Sequence, residues 1–191
     1  MLRLSLSQET GASVHLLALT ILLIVSARVA AQHAHQHGAA SMDVTLDGRT
    51  LAIRLESPLD NMVGFEHAPR NEKQHAALTR MTEDLKRSER LFDLPGAAAC
   101  RLVSAQARHP YQASAAAATR SHGADGTGHD GVHAELQATW EFDCARPDAL
   151  KGIGLRLFDV FRGIQRVRAQ TVTPKGQGAV SLSPANRELR L

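Results

Sequence analysis

The stretch "MDVTLDGRTLAIRLES", residues 42–57, decides the fold class because it has the pattern of a complete β-hairpin. Apolar and polar residues alternate on both sides of Asp47-Gly48, which is the period of a strand with one buried face. Asp-Gly is favoured in two-residue hairpin turns because glycine readily adopts a positive φ. We therefore expect the folded part of the chain to begin with two antiparallel strands.

Downstream of the hairpin, residues 57–71 contain three helix and strand breakers and are predicted to form a loop. Residues 71–91, "NEKQHAALTRMTEDLKRSERL", then predict one amphipathic helix, with Asn71 as its N-cap. Its apolar residues recur at helical spacing and can share a face: Ala77, Leu78, Met81, Leu85 and Leu91.

The second half of the chain has the pattern of short strands. Residues 98–108 resemble a strand, residues 132–144 alternate well, and the two are expected to pair, while the Ala/Ser/Gly-rich residues 109–131 predict a mobile loop. Further strands are predicted over residues 153–161, 165–174, 178–184 and 187–191. The predicted fold class is α+β: a mostly antiparallel sheet of short strands with one main amphipathic helix.

Residues 1–31 have the pattern of a secretory signal peptide. Arg3 gives a positive start, residues 14–25 are apolar, and cleavage after Ala31 would place Val29 and Ala31 at the small-residue positions. The alternative, an uncleaved anchor, is disfavoured because about 20 apolar residues are needed to span a bilayer. We expect residues 32–191 to form a single exported domain with no membrane association after cleavage.

Export changes the interpretation of the two cysteines, Cys100 and Cys144, which lie on the two strands expected to pair. In an oxidising compartment an even pair most simply forms a disulfide. On the chain-entropy model such a cross-link stabilises the fold by roughly 4 kcal/mol. The alternative is that both are thiolate ligands of zinc, but neither has a nearby cysteine in a CxxC arrangement.

The composition argues against nucleic-acid binding and draws attention to the histidines. The formal net charge is only +3, and aromatic residues make up 4% of the chain. The basic residues form no stripe interleaved with aromatics, so nucleic-acid binding has little support. The 10 histidines are the one excess in the composition.

The densest group of histidines, in "QHAHQHG", would lie at the new amino end after cleavage. Its members alternate along the chain: His33, His35 and His37. Neutral imidazole is a common ligand of zinc, and alternate residues of an extended chain point to the same side. Neighbouring pairs can therefore bind one divalent ion, whereas all three can do so only if the segment bends near Gly38.

Other donors lie further along the chain. Glu66 and His67 are adjacent in "GFEHAP", and His133 and Glu135 form a second alternate pair at the start of a predicted strand. The predicted loop adds His122 and His129, each close to an aspartate. Three alternatives stay open: Glu66 could pair with Arg70, residues 109–131 could be a plain linker, and isolated histidines are usually incidental. This last interpretation applies to His15, His75 and His109.

The segments "HAHQHG", "LDGRTLAIRLESPLDNMVGFEHAP", "LFDLPGAAAC", "FDCARPDAL", "LRLFDVF" and "QTVTPKGQGAVSLSP" resemble, in that order, the ZrgA-type periplasmic zinc-binding proteins. The resemblance implies an accessory role in zinc acquisition beside a high-affinity ABC importer and its substrate-binding protein. By position it implies these zinc-site residues: His33, His35, His37, Glu66, His67, His133 and Glu135. The central loop of this sequence keeps few of the histidines and acidic residues that are typical of the family.

The leading hypothesis is a non-enzymatic periplasmic protein that binds Zn²⁺ through neutral histidines, with Cu²⁺ or Ni²⁺ as alternative ions because histidine sites also bind these metals. A second hypothesis is a structural envelope domain whose histidines are incidental. The third and least favoured is a zinc hydrolase with Glu66 or Glu135 as general base, because the sequence has no HExxH motif and offers no fixed triplet of ligands.

Overall fold

The hairpin predicted from residues 42–57 is confirmed in a computed structural model that describes residues 37–112 and 134–191. Strand β1 (Ala39–Asp47) pairs with β2 (Thr50–Pro58) through a two-residue loop, Gly48–Arg49. Gly48 has a φ of 54°, which glycine adopts without steric cost. The turn therefore lies one residue later than the Asp47-Gly48 dipeptide predicts. The predicted signal peptide and nearly all of the predicted loop at 109–131 lie outside the described residues.

The α+β prediction is correct: nine strands form two sheets within the described residues. After the hairpin these strands follow: β3 (Phe92–Asp93), β4 (Cys100–Arg108), β5 (Glu135–Cys144), β6 (Gly152–Leu155), β7 (Arg166–Thr173), β8 (Gly176–Leu182) and β9 (Glu188–Arg190). The large sheet has the order β4-β5-β2-β1-β7-β8, and the small sheet has the order β3-β6-β9. All pairings are antiparallel except that of β1 with β7.

The main helix, α2 (Glu72–Lys86), follows a four-residue helix, α1 (Asp60–Val63). The predicted cap of α2 is confirmed, because the Asn71 side chain accepts a hydrogen bond from the Gln74 backbone N–H at 3.0 Å. The helix ends at Lys86 rather than at residue 91, and residues 88–90 form a 3-10 turn that brings Leu91 into the core.

One prediction was wrong in part. Residues 153–161 were expected to form a single strand, but β6 ends at Leu155 and the chain enters a short helix, α3 (Leu157–Val160). Apolar residues crowd this segment, and both Leu157 and Phe158 are buried. Successive buried residues suit a helical turn inside the core better than a strand with one buried face.

The large sheet is covered on one face only. Along most of β1, β2 and β5 alternate residues are buried, while those between them are mostly polar and face outward. Trp140 of β5 lies in the centre of the buried face, donates its indole N–H to the Leu85 carbonyl at 2.7 Å, and packs edge-on against Phe92. Helix α2 and the small sheet therefore cover the same face of the large sheet.

The predicted disulfide is present and joins Cys100 to Cys144, which lie directly opposite each other on β4 and β5. It stands at the end of the sheet that carries the hairpin turn, where the Cys144 backbone N–H donates to the Arg49 carbonyl at 2.8 Å. Arg49 also binds the Asp143 carboxylate through two hydrogen bonds. We call this region, residues 48–50, 98–100 and 143–146, the turn end.

No helix within residues 37–112 and 134–191 is long and apolar enough to cross a membrane.

Candidate metal centre

The opposite end of the large sheet carries the predicted metal donors that the structure describes, namely His37, Glu66, His67 and Glu135. Here β1 begins, β2 ends at Pro58, β4 ends at Arg108 and β5 begins at Glu135. The strand pairing fixes this arrangement, since Pro58 lies opposite Glu135 and Arg108 lies opposite Gln137. We call this region, residues 37–38, 58–67, 108–112 and 134–135, the histidine end.

His37 lies at the histidine end and contacts Asp60, the first residue of α1. Its Nδ1 lies 2.5 Å from Oδ2 of Asp60, while 85% of the imidazole side chain remains exposed. Asp60 is less accessible, with 22% of its side chain exposed. The Asp60 carboxylate therefore holds one ring nitrogen of His37, while most of the imidazole is exposed to solvent.

Asn61, the next residue of α1, fixes the backbone that follows His37. Its buried amide accepts a hydrogen bond from the Gly38 N–H at 2.7 Å and donates to the Ala39 carbonyl at 3.0 Å. The same amide nitrogen also donates to the Ser57 hydroxyl at 3.2 Å. Asp60 and Asn61 thus bind the side chain and the backbone, respectively, of one short segment.

Gly38 completes this attachment from the other side. Its carbonyl accepts hydrogen bonds from the backbone N–H groups of Gln165 and Arg166, at 2.7 and 2.9 Å. Its φ of 80° lies in the left-handed region, where a residue with a Cβ would be strained. The glycine allows the chain to turn between His37 and β1, while the bend predicted for the segment that carries His33, His35 and His37 lies almost entirely outside the described residues.

The pKa of His37 is raised above its ordinary value. The main cause is its hydrogen bond to Asp60, followed by the negative charge of that carboxylate, with a smaller contribution from the charge of Glu66. Both carboxylates therefore favour the protonated imidazolium. A metal ion that binds His37 must displace a proton, and the same negative charges favour the incoming cation.

Asp60 has one oxygen in contact with His37 and a second, Oδ1, that is buried with no hydrogen-bond partner among the described residues. A buried carboxylate oxygen without a donor is costly, since it loses its hydration. The negative charge of this oxygen is one observation that fits a cation close to His37.

Glu66 and His67 lie on the loop between α1 and α2 and are half-buried. The His67 ring stacks on Phe65, and its Nδ1 lies 2.8 Å from the Ala68 carbonyl. Tyr111, just after β4, donates its hydroxyl hydrogen to the Glu66 carbonyl. This contact attaches the loop to the chain that leaves β4.

His109 is interpreted from the sequence as an incidental exposed residue, but in the structure it is partly buried and hydrogen-bonded. It is half-buried, and its Nδ1 accepts a hydrogen bond from the Tyr111 backbone N–H at 3.2 Å. Burial lowers the pKa of His109, which keeps it neutral at physiological pH. His109 therefore helps to hold Tyr111, and through it the loop of Glu66.

The predicted site residues divide into two groups. His37, Glu66, His67 and Glu135 lie at the histidine end, although no group of three or more His, Cys, Asp or Glu side chains there, or elsewhere in residues 37–112 and 134–191, is close enough to hold a metal ion together. The others lie outside the described residues: His33, His35, His122, His129 and His133. Their predicted roles stay predictions.

Sequence reasoning missed Asp60, Asn61 and Tyr111. A signal for Asp60 exists only in the observed register, because His37 and Asp60 are equally distant along the chain from the Gly48–Arg49 turn, whereas the predicted Asp47-Gly48 turn would have placed Pro58 opposite His37. Antiparallel pairing brings such positions to the same place on the hairpin. Asn61 and Tyr111 have no comparable signal, since their partners are backbone groups of distant segments.

These observations define an α+β domain with a one-sided sheet and with imidazole and carboxylate donors at one end. The model of the ZrgA family zinc uptake protein matches residues 34–191, and the chain belongs to this family. No curated protein matches the chain. The match confirms the resemblance seen in the sequence and assigns the protein to zinc uptake.

Proposed function

We propose that this protein binds Zn²⁺ in the periplasm at the histidine end and passes it to a zinc ABC importer or to the substrate-binding protein of that importer. The observation that carries the proposal is the position of His37, held by Asp60 and exposed on its other side. The role requires no catalysis, since zinc is the cargo and leaves unchanged.

The donor chemistry of the histidine end fits zinc. Zinc in proteins is usually bound by four ligands, among which neutral imidazole and carboxylate are common. Among the predicted donors at the histidine end, His37 is exposed whereas Glu66, His67 and Glu135 are half-buried, and Glu66 is near enough to His37 for its charge to act on it. We propose that the remaining ligands come from residues that adjoin the histidine end along the chain. The first of these are His33 and His35, which precede His37 in the sequence.

The second group of proposed ligands follows from chain continuity. His133 is covalently bonded to Ala134, whose carbonyl accepts a hydrogen bond from the Leu59 N–H at 2.8 Å. Leu59 is next to Asp60, so Ala134, the residue that follows His133, lies beside the Asp60 contact. Glu135 follows on the first position of β5.

Two features support the periplasmic location. A disulfide forms and persists in an oxidising compartment, and here it joins strands at the turn end. The family match begins at residue 34, after the predicted cleavage point at Ala31. We therefore propose that residues 1–31 direct export and are removed.

The direct test is calorimetric titration of zinc into the metal-free, untagged mature chain. We expect binding at about pH 7.5 that weakens strongly at about pH 5.5, because imidazole must be deprotonated to bind a metal. The triple replacement of His33, His35 and His37 by alanine should lower the stoichiometry or the affinity. His75→Ala, a change to an exposed histidine on α2, serves as the matched control. Equal binding at both pH values would contradict a histidine-based site.

Competition among metals tests selectivity. Cu²⁺ and Ni²⁺ should also bind, since imidazole sites follow the usual affinity order in which Cu²⁺ binds more tightly than Zn²⁺. The transfer step is tested separately, by mixing the zinc-loaded protein with the metal-free substrate-binding protein of a zinc importer. Transfer faster than spontaneous zinc release would support direct handover, and transfer at the release rate would contradict it.

A further inference from the structure

The hydrogen bonds of the ring nitrogens differ among the three histidines of the histidine end that the structure describes. An ionised carboxylate has no proton and can only accept, so the His37 contact requires a proton on Nδ1. The Ala68 carbonyl likewise can only accept, so His67 also carries its proton on Nδ1. His109 is the reverse, because its Nδ1 accepts from the Tyr111 N–H.

A metal ion binds the ring nitrogen that has no proton. Neutral His37 and His67 therefore present Nε2 to a metal, whereas neutral His109 carries its proton on Nε2 and presents no lone pair there. The hydrogen bonds divide histidines that look equivalent in the sequence into two kinds. His37 and His67 are set as ligands, and His109 is set as a structural residue.

Building on the proposed function, we propose that Asp60 is the outer partner of a zinc-bound His37, holding its proton on Nδ1 and aiming Nε2 at the ion without binding the ion itself. Histidines that bind metals generally donate their second N–H to a carboxylate or a carbonyl, which fixes the ring and increases its basicity. The 2.5 Å contact and the 85% exposure of His37 match this arrangement.

Direct ligation by Asp60 fits the structure less well. Its Oδ2 is already occupied by the His37 N–H, and its Oδ1 is buried away from solvent. The imidazole of His37 is 85% exposed and the Asp60 side chain only 22%, so the ring is the more accessible of the two groups to an ion from solvent. Asp60 is therefore a positioning residue, and its charge acts through the imidazole that it holds.

The first test compares zinc affinities of Asp60→Ala and Asp60→Asn with that of the wild type at about pH 7.5. Loss of an outer partner typically weakens metal binding by about 10- to 100-fold, which we expect for Asp60→Ala. The asparagine carbonyl can still accept from Nδ1–H, so Asp60→Asn should lie between Asp60→Ala and the wild type. Equal loss in both variants would indicate direct ligation and overturn the proposal, as would wild-type affinity in both.

Asp143→Asn is the matched control for charge, because Asp143 is a surface carboxylate paired with Arg49 at the turn end. It should leave zinc affinity unchanged. The fluorescence of Trp140, the one tryptophan of the chain, reports whether each variant is folded. Because Asp60→Asn is nearly isosteric, it keeps the test decisive even if Asp60→Ala unfolds.

The second test is nitrogen NMR of His37 in the mature chain. We expect Nδ1 to stay protonated with and without zinc, and the Nε2 resonance alone to shift when zinc binds. Zinc at Nδ1 would overturn the proposal. If the wild type binds no zinc at all, the proposed function fails, but the metal-free spectrum above the pKa of His37 still decides where its proton resides.

Discussion

The two ends of the large sheet are built in opposite ways. At the turn end, β4 and β5 are joined by the Cys100–Cys144 disulfide, and the hairpin turn is attached to β5 by backbone and side-chain hydrogen bonds. At the histidine end the chain is held by the hydrogen bonds of Asp60, Asn61 and Tyr111. The covalent cross-link lies at one end, and those predicted metal donors that the structure describes lie at the other.

The comparison shows that the part of the fold that provides stability is separate from the part in which we propose that an ion binds. Stability comes from the buried face of the sheet and the cross-link at the turn end. A site that takes up and releases an ion, as we propose for the histidine end, needs donors that can rearrange, and such regions come from the less stable parts of a structure. Changes at the turn end should therefore alter folding, while changes to exposed donors should alter zinc binding.

The largest expected effect is loss of the disulfide by joint replacement of Cys100 and Cys144 with serine. The free energy of unfolding should fall by about 2–5 kcal/mol, as for other native disulfides. Urea denaturation followed by Trp140 fluorescence measures this change. Zinc affinity of the folded variant should remain at the wild-type value, and a parallel loss of affinity would show that the two ends are coupled.

A smaller effect is expected for Asn61→Ala, which sharpens the comparison because Asn61 is buried but belongs to the histidine end. The variant leaves the Gly38 N–H without its acceptor, and an unsatisfied buried group costs about 1–3 kcal/mol. We expect zinc affinity to fall as well, since the segment that carries His37 is no longer fixed. Denaturation and calorimetry on the same preparation measure both effects, and a change in stability alone would contradict the role in positioning.

His37→Ala should change zinc binding without changing the fold. Its side chain is 85% exposed, so we expect the unfolding free energy to stay within about 0.5 kcal/mol of the wild type. Zinc affinity should fall by at least about tenfold, the effect of losing one good ligand interaction. Calorimetry with His75→Ala as the control tests this, and equal affinities in the two variants would exclude His37 as a ligand.

The smallest effect is a shift in the titration of His37 itself. Asp60 raises its pKa, so Asp60→Asn should move the NMR titration midpoint of His37 to lower pH. The sign for stability follows from linkage. The contact stabilises the fold fully below the unfolded pKa of about 6.5, and this contribution disappears as pH rises through the higher folded value. An unchanged midpoint would contradict the Asp60 contact.

Much of the fold could be predicted because its signals are local. Alternation revealed β1, β2 and β5, and the expected pairing of β5 with β4 agreed with the disulfide that the even pair of cysteines in an exported chain predicts. The end of α2 was misplaced because Leu91 continues the apolar spacing, although it is buried through a 3-10 turn. The strand predicted over 153–161 failed in its second half because a fully apolar segment does not distinguish a strand from a buried helical turn.

The site was less predictable than the fold because its contacts join distant parts of the chain. His37, Glu66 and His67 were identified by residue type, and these are groups whose chemistry is visible in the sequence. The roles of Asp60 and Asn61 depend on which groups they face across the hairpin. His109 was interpreted as incidental because the sequence does not show that Tyr111 folds back onto its ring.

The single parallel pairing, between β1 and β7, has a consequence for the time course of folding. Parallel neighbours cannot be joined by a short turn, so β1 meets its second neighbour only after most of the chain has been made. Contacts between such distant segments form slowly. A chain that emerges amino end first therefore leaves β1 as an unpaired edge of its sheet until the last quarter arrives, and such an edge can pair with the strands of other chains.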